Sequence, residues 1–196
     1  MTNQKQVASL QDFRTDEELV EVTLAGQAEA FRELYDRFYS RAYRLAYGMT
    51  GRHDLAEDLT QEIFMRAYQK LDKYERRSSF ATWFYRLAVN HILNSRSREK
   101  RESHEDLETP NARALARPDK PAESGILRQQ IQAQINRALL SLKPPMRIIV
   151  ILKDIEGLNI AEIAERLNCS KGTVASRLFR ARDLLAQKLG HLRDTL

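Results

Sequence analysis

Residues 160–180 read IAEIAERLNCSKGTVASRLFR, a pattern that few folds accept. Ile163, Ala164, Leu167, Cys169 and Val174 put apolar or small side chains where two short helices must meet. Ala164 is small enough for close approach, and Asn168 suits the left-handed backbone of a tight turn. Ser170 is placed to cap a second helix whose outward face carries Lys171, Thr173, Ser176, Arg177, Phe179 and Arg180. This spacing predicts a helix-turn-helix, whose second helix enters the major groove of DNA.

The rest of the chain is equally helical in pattern. Phe31, Leu34, Tyr35, Phe38, Ala42, Leu45, Ala46 and Met49 recur at helical spacing, and Gly51 ends that run. Asp54 is expected to cap the next helix, with Leu55, Leu59, Ile63, Ala67 and Leu71 as its apolar stripe. A third helix is predicted from about Phe80 to Arg98, and a shorter one near residues 16–28. Residues 102–124 are polar, contain Pro110, Pro118 and Pro121, and lack a sustained apolar stripe. Helical pattern resumes at Ile126 with Ile131, Ile135, Leu139 and Leu142. It restarts at Pro144-Pro145, runs through Ile148, Ile149, Ile151, Leu152 and Ile155, and stops at Gly157.

The expected fold is therefore all-α, two small helical domains joined by a flexible linker. The boundaries read as a disordered N-terminal extension (1–20), a first domain (21–100), the linker (101–125) and a second domain (126–196).

Charge placement suggests what these domains meet. The net charge of +5 is modest over 196 residues, but it is concentrated. Between Arg166 and Arg193 seven basic residues face one acid, Asp183, and between Asp72 and Arg101 eight face three. The second stretch interleaves bases with Tyr74, Phe80, Trp83, Phe84 and Tyr85, the composition of a single-strand binding surface. Phe80, Trp83 and Phe84 lie on the apolar stripe and are expected in the core. Arg76, Arg77, Ser78 and Ser79 in the preceding loop, and Tyr85, Arg86 and Asn90 facing outward, are the DNA candidates. On the helix before, inward Leu59 and Ile63 leave Asp58, Gln61 and Glu62 as an outward polar row suited to a basic helical partner.

In this order, DLTQE (Asp58–Glu62), FATWFYR (Phe80–Arg86), LAVN (Leu87–Asn90) and GTVASRLFRAR (Gly172–Arg182) resemble the bacterial extracytoplasmic-function, or group IV, sigma factors of the sigma-70 family. These are minimal factors built from the second and fourth sigma domains. The resemblance implies that Asp58, Gln61 and Glu62 bind the β′ clamp helices of RNA polymerase core, with further contact to the β subunit. It implies that the loop and helix at Arg76–Ser79, Tyr85, Arg86 and Asn90 take the −10 element, including a base flipped from the stack. The helix-turn-helix residues from Lys171 to Arg180 would read the −35 element, with Ala175 standing where many relatives carry Lys or Arg. An acidic linker through the RNA-exit region and control by an anti-sigma factor are implied as well.

Two other classes fit less of the chain. A helix-turn-helix regulator that never engages polymerase needs neither DLTQE nor FATWFYR. An enzyme would need a phosphate loop, a metal cluster or a nucleophile–base pair, and the pattern offers none of these. His53, His91, His104 and His191 lack metal spacing, and no cofactor is expected. Cys169, the only cysteine, reads as a buried structural thiol. No apolar run approaches a membrane span and the N-terminus does not resemble a signal peptide, so a cytoplasmic protein with no membrane insertion is expected.

Overall fold

The computed structural model describes residues 14–102 and 123–190, with side-chain surroundings for 14–95 and 130–190. Most of the expected linker, 103–122, and the first thirteen residues lie outside that description. Eight α-helices make up the described chain and no strand occurs in it. They are α1 (Asp16–Leu24), α2 (Ala28–Thr50), α3 (His53–Gln69), α4 (Phe80–Glu102), α5 (Glu123–Ser141), α6 (Pro144–Val150), α7 (Ile160–Leu167) and α8 (Lys171–Leu189).

Helix α1 lies where a short helix was expected near residues 16–28 and begins inside the stretch expected to be a disordered extension. Thr15 and Glu18 form a reciprocal capping box (3.2 and 2.6 Å), and Leu19 and Val20 are buried. Leu19, Val20, Val22 and Leu24 among four acids give a weak periodic signal, and the core contributed by other helices supplies the reason for folding. Helix α2 buries Leu34, Phe38, Ala42, Leu45, Ala46 and Met49 of the predicted stripe, leaves Phe31 and Tyr35 half-buried, and ends at Gly51, whose φ of 71° requires the left-handed region. Asp54 is not the cap of α3. The cap position is Arg52, which makes no side-chain cap bond and instead pairs with Asp54. The first core is aromatic: Phe38 meets Phe80 (5.3 Å between centroids) and Phe84 (5.2 Å), and Phe84 meets Phe64 (5.0 Å).

In the second half, α6 continues through a π-helical turn, Ile151–Ile155, before Gly157 reverses the chain at φ 75°. Ile149, Ile151 and Leu152 are fully buried, but Ile155, expected with them, is exposed. The wider π turn moves the side chains after it off the helical period. Asn159 caps α7 in a second capping box. Asn168 takes φ 50°, ψ 51° as expected, and Ser170 accepts from Thr173 N to cap α8. Cys169 is half-buried and packs against the core rather than lying inside it.

The two halves share one continuous core. At its centre lies Arg147 of α6, 3% exposed. Its guanidinium donates from Nε to Leu139 O (2.9 Å), from Nη1 to Met49 O (2.6 Å), and from Nη2 to Leu140 O and Leu142 O (2.9 Å for the latter). Leu139 and Leu140 end α5, and Met49 ends α2. One cation thus satisfies carbonyls that two helix C-termini leave unpaired, where the helix dipoles favour positive charge. Around it Asn136 Nδ2 donates to Tyr47 Oη (2.9 Å), and Arg44 holds the almost buried carboxylate of Glu156 through two bonds (2.7 and 2.9 Å). A Cβ at Gly48 would stand 2.7 Å from Ile151 Cδ1, so the missing side chain is what lets α6 lie against α2.

Arg147→Met keeps much of the volume and removes all four bonds. The expected loss is about 3–5 kcal/mol of unfolding free energy, because several buried carbonyls lose their donor at once. Urea denaturation of the parent and variant measures it, and a loss below about 1 kcal/mol would refute the central role of the guanidinium.

Candidate functional site

Three surfaces carry the sequence-predicted residues. The first is the outer face of α3. Asp58, Gln61 and Glu62 are exposed while Leu59 and Ile63 are buried, as the pattern predicts. Glu62 is not free: its Oε2 lies 2.6 Å from Nε2 of His91, a nearly buried ring on α4. Asp58 and Gln61 project without such a tie to α4, and Met65 extends the exposed face by one turn (60% exposed).

The second surface combines the loop 75–79 with α4. Glu17 of α1 organises its base. Its carboxylate accepts from Phe80 N (2.9 Å) and from Tyr74 Oη (3.4 Å), and Tyr74 Oη also meets Ser78 O (2.8 Å). The Phe80 amide is the main cause that holds the Glu17 carboxyl below its ordinary value of 4.5, against the opposing effect of burial. Burial, then the Glu17 charge, push the Tyr74 phenol up to about 12. Within the loop, Arg76 takes φ 56° and pairs with Glu21, and Arg77 pairs with Glu75 (2.7 Å). Ser79 is occupied as the cap of α4, accepting from Thr82 N (3.2 Å), so its hydroxyl is a structural element.

On α4 itself the expected outward set divides. Asn90 is exposed. Tyr85, expected outward, is 3% exposed and lies beneath the guanidinium of Arg166 (4.9 Å to the ring centroid). Arg86 is half-buried and donates Nε (3.0 Å) and Nη2 (2.6 Å) to Glu165 O at the end of α7. The helix-turn-helix head covers this side of α4, and a pattern read on one helix does not show which second element will cover it. Sequence reasoning also missed part of the surface. A groove of about 340 Å³ between α3 and α4 is lined by Arg66, Lys70 and Lys73 together with Trp83, Asn90 and Asn94. Three bases at 66, 70 and 73, spaced four and three apart, were the available signal.

The third surface is α8. Phe179 is 74% exposed and stands beside exposed Arg180, Ser176 and Lys171. Thr173 is partly buried, its hydroxyl 2.9 Å from that of the cap Ser170. Arg177 departs from this face: it is half-buried and lines a cleft against α4. Leu178 and Ala181 are core as expected, and Leu185 packs at the core margin. Among the described residues no group of acids, cysteines and histidines is placed to hold a metal, and no helix is long and apolar enough to cross a membrane.

Glu17→Gln tests the anchor below the loop. A group whose pKa is lowered by folding stabilises above its unfolded pKa, and that contribution fades as pH falls through the folded value. The parent is expected to melt a few degrees above the variant at pH 7, with the gap closing below about pH 4.5. A pH-independent gap in calorimetry would show that the charge is not what matters.

Known proteins agree with this geometry. The family described as Sigma-70 region 2 matches residues 34–102, and that described as Sigma-70, region 4 matches 132–185. The ECF RNA polymerase sigma factor SigW of Bacillus subtilis is 31% identical over 173 residues, covering 85% of this chain and 92% of that protein. The ECF RNA polymerase sigma-E factor of Escherichia coli K12 is 34% identical over 182 residues, covering 89% and 94%. A solved structure of the sigma factor RpoE in complex with the anti-sigma factor NepR from Bartonella quintana aligns with a TM-score of 0.63 at 27% identity, over 82% of this chain and 96% of that one. The structure of CnrH with the cytosolic domain of CnrY shares the fold (TM-score 0.66, 20% identity, 91% of this chain and 99% of that one).

Proposed function

The chain belongs to the extracytoplasmic-function sigma factors of the sigma-70 family, and from that premise we propose a division of labour among its surfaces. It is an alternative sigma factor that binds RNA polymerase core and directs initiation at its own promoters. Asp58 and Gln61, with Glu62 held by His91, dock the polymerase β′ clamp helices. Arg76, Arg77, Asn90 and the α3–α4 groove take the separated −10 strand, with Arg86 joining once it is released from α7. Lys171, Thr173, Ser176, Phe179 and Arg180 address the −35 duplex, the residues at the start of α8 through phosphate and those one turn on through base edges. Ser79 and Tyr85 support these surfaces from below.

The observation that carries this reading is the pairing on one chain of an exposed acidic face on α3 with a basic groove beside it and a helix-turn-helix beyond. A regulator that only bound duplex DNA would have no use for the first two, and a match to region 2 over 34–102 disfavours that alternative. Control by an anti-sigma factor is supported by the likeness to a sigma factor solved with one. Promoter reading also demands a change of shape. Elements centred roughly 25 base pairs apart lie about 85 Å apart along B-DNA at 3.4 Å per pair. Arg86 and Glu165, on the two reading halves, are in hydrogen-bond contact here, so the halves must part on the promoter.

Transcription with purified core polymerase and a pool of promoter fragments tests the assignment. Initiation at a shared two-block motif only in the presence of this chain is expected. Asp58→Ala with Gln61→Ala should weaken core binding about tenfold and leave duplex binding intact. Arg180→Ala should cut promoter use by roughly five- to a hundredfold, the worth of a bidentate guanine contact, without changing core affinity. Equal loss of both activities in either variant would sink the separation of surfaces.

A further inference from the structure

Between α4 and the helix-turn-helix head lies a cleft of about 480 Å³. Arg86 of α4, Arg166 of α7 and Arg177 of α8 line it, joined by the carboxamides of Asn90 and Asn168. The rest of the lining is apolar, with Val89, Ile148 and Leu167 among its members, and no carboxylate lines the cleft among the described residues. Three like charges from three helices converge on one concavity without an acid among them.

The Arg166 guanidinium lies over the Tyr85 ring, and its Nε and Nη1 are buried without an acceptor rather than open to the cleft. Buried charged donors without acceptors are costly, and native structures rarely leave them so. Arg86 spends Nε and Nη2 on Glu165 O, which leaves its other terminal nitrogen uncommitted by those bonds. Planar guanidinium forks match phosphate oxygens two at a time, and several together suit a ligand with several phosphates. The volume falls within the small-molecule range and is too small for a duplex.

We infer that this cleft binds a compact oligophosphate anion, free or carried on a nucleoside, and that the bound anion holds the two halves closed. The site exists only while α4 and α7–α8 are together, so binding stabilises that state by mass action. Arg86 and Asn90 are then withheld from DNA. The binding step stands on the cleft alone, and only its effect on promoters rests on the function proposed above.

Calorimetric titration of the full chain with inorganic tripolyphosphate, ATP and GTP tests it. Saturable one-to-one binding is expected, weakened at least tenfold in Arg166→Gln and in Arg177→Gln, and unchanged in Lys188→Gln, a basic position of α8 outside the cleft. Two variants on separate helices guard against one that fails to fold. Tighter binding of the nucleotides would assign the apolar wall to the base, and equal binding would assign the site to phosphate alone; both uphold the anion site. No binding, or equal weakening in Lys188→Gln, would overturn it as diffuse attraction. A short single-stranded oligonucleotide that binds tenfold tighter with the same Arg166 dependence would overturn it in favour of nucleic acid. Association of the chain with core polymerase, measured without nucleotides, reads the proposed function separately.

Discussion

The guanidinium of Arg147 is the constraint on which the arrangement of the halves depends. A buried cation is tolerated only when its donors are satisfied, and here four carbonyls do this. Three of these carbonyls lie at or just after the end of α5, in the same half as Arg147, and the fourth, Met49 O of α2, ties the charge to the first half. The same junction explains why α5 and α6 meet where they do. Pro144 and Pro145 start α6 so that its first turn brings Arg147 back over the carbonyls that end α5. The Arg44–Glu156 pair and the Tyr47–Asn136 bond extend the seam along α2.

This closed geometry sorts the functional residues by accessibility. The face of α3 and the tip of α8 stay open to solvent, whereas Tyr85 and Arg86 are covered by the end of α7. The face proposed to meet polymerase is open here and the one proposed to take the strand is partly shut, which fits an order in which core engagement comes first. The covering contacts are two bonds from half-buried Arg86 to one carbonyl and the Arg166 guanidinium over Tyr85.

The local grammar of the fold was legible. Period-3.6 stripes found α2, α3 and α4, and the turn chemistry of Asn168 and Ser170 placed the helix-turn-helix to the residue. The exposed set at Asp58, Gln61, Phe179 and Arg180 followed from the same periodicity. What was not legible depended on long-range contacts. Tyr85 sits at an outward position of its own helix and is buried by α7, more than eighty residues later. Arg147 lies in an apolar run with nothing beside it in sequence to name its acceptors. Asp54 resembled a cap, but α3 starts one residue before it, at His53. Helix α1 was too short and too acidic to declare a buried face until the aromatic core around Phe80 was in place.

Gly48 and Gly51 leave hollows in α2 that Ile151 and Leu140 of the other half occupy. Their consequence reaches beyond this molecule's stability. Each half carries its own proposed promoter-reading surface. Here the shape of one is moulded to the other, so substitutions at 48 or 51 are tied to those at 151 and 140. Grafting the reading head of a relative onto this first half would carry over its DNA preference but not the fit. Such a chimera would spend more of its time extended, and its promoter choice and its resting state would change together.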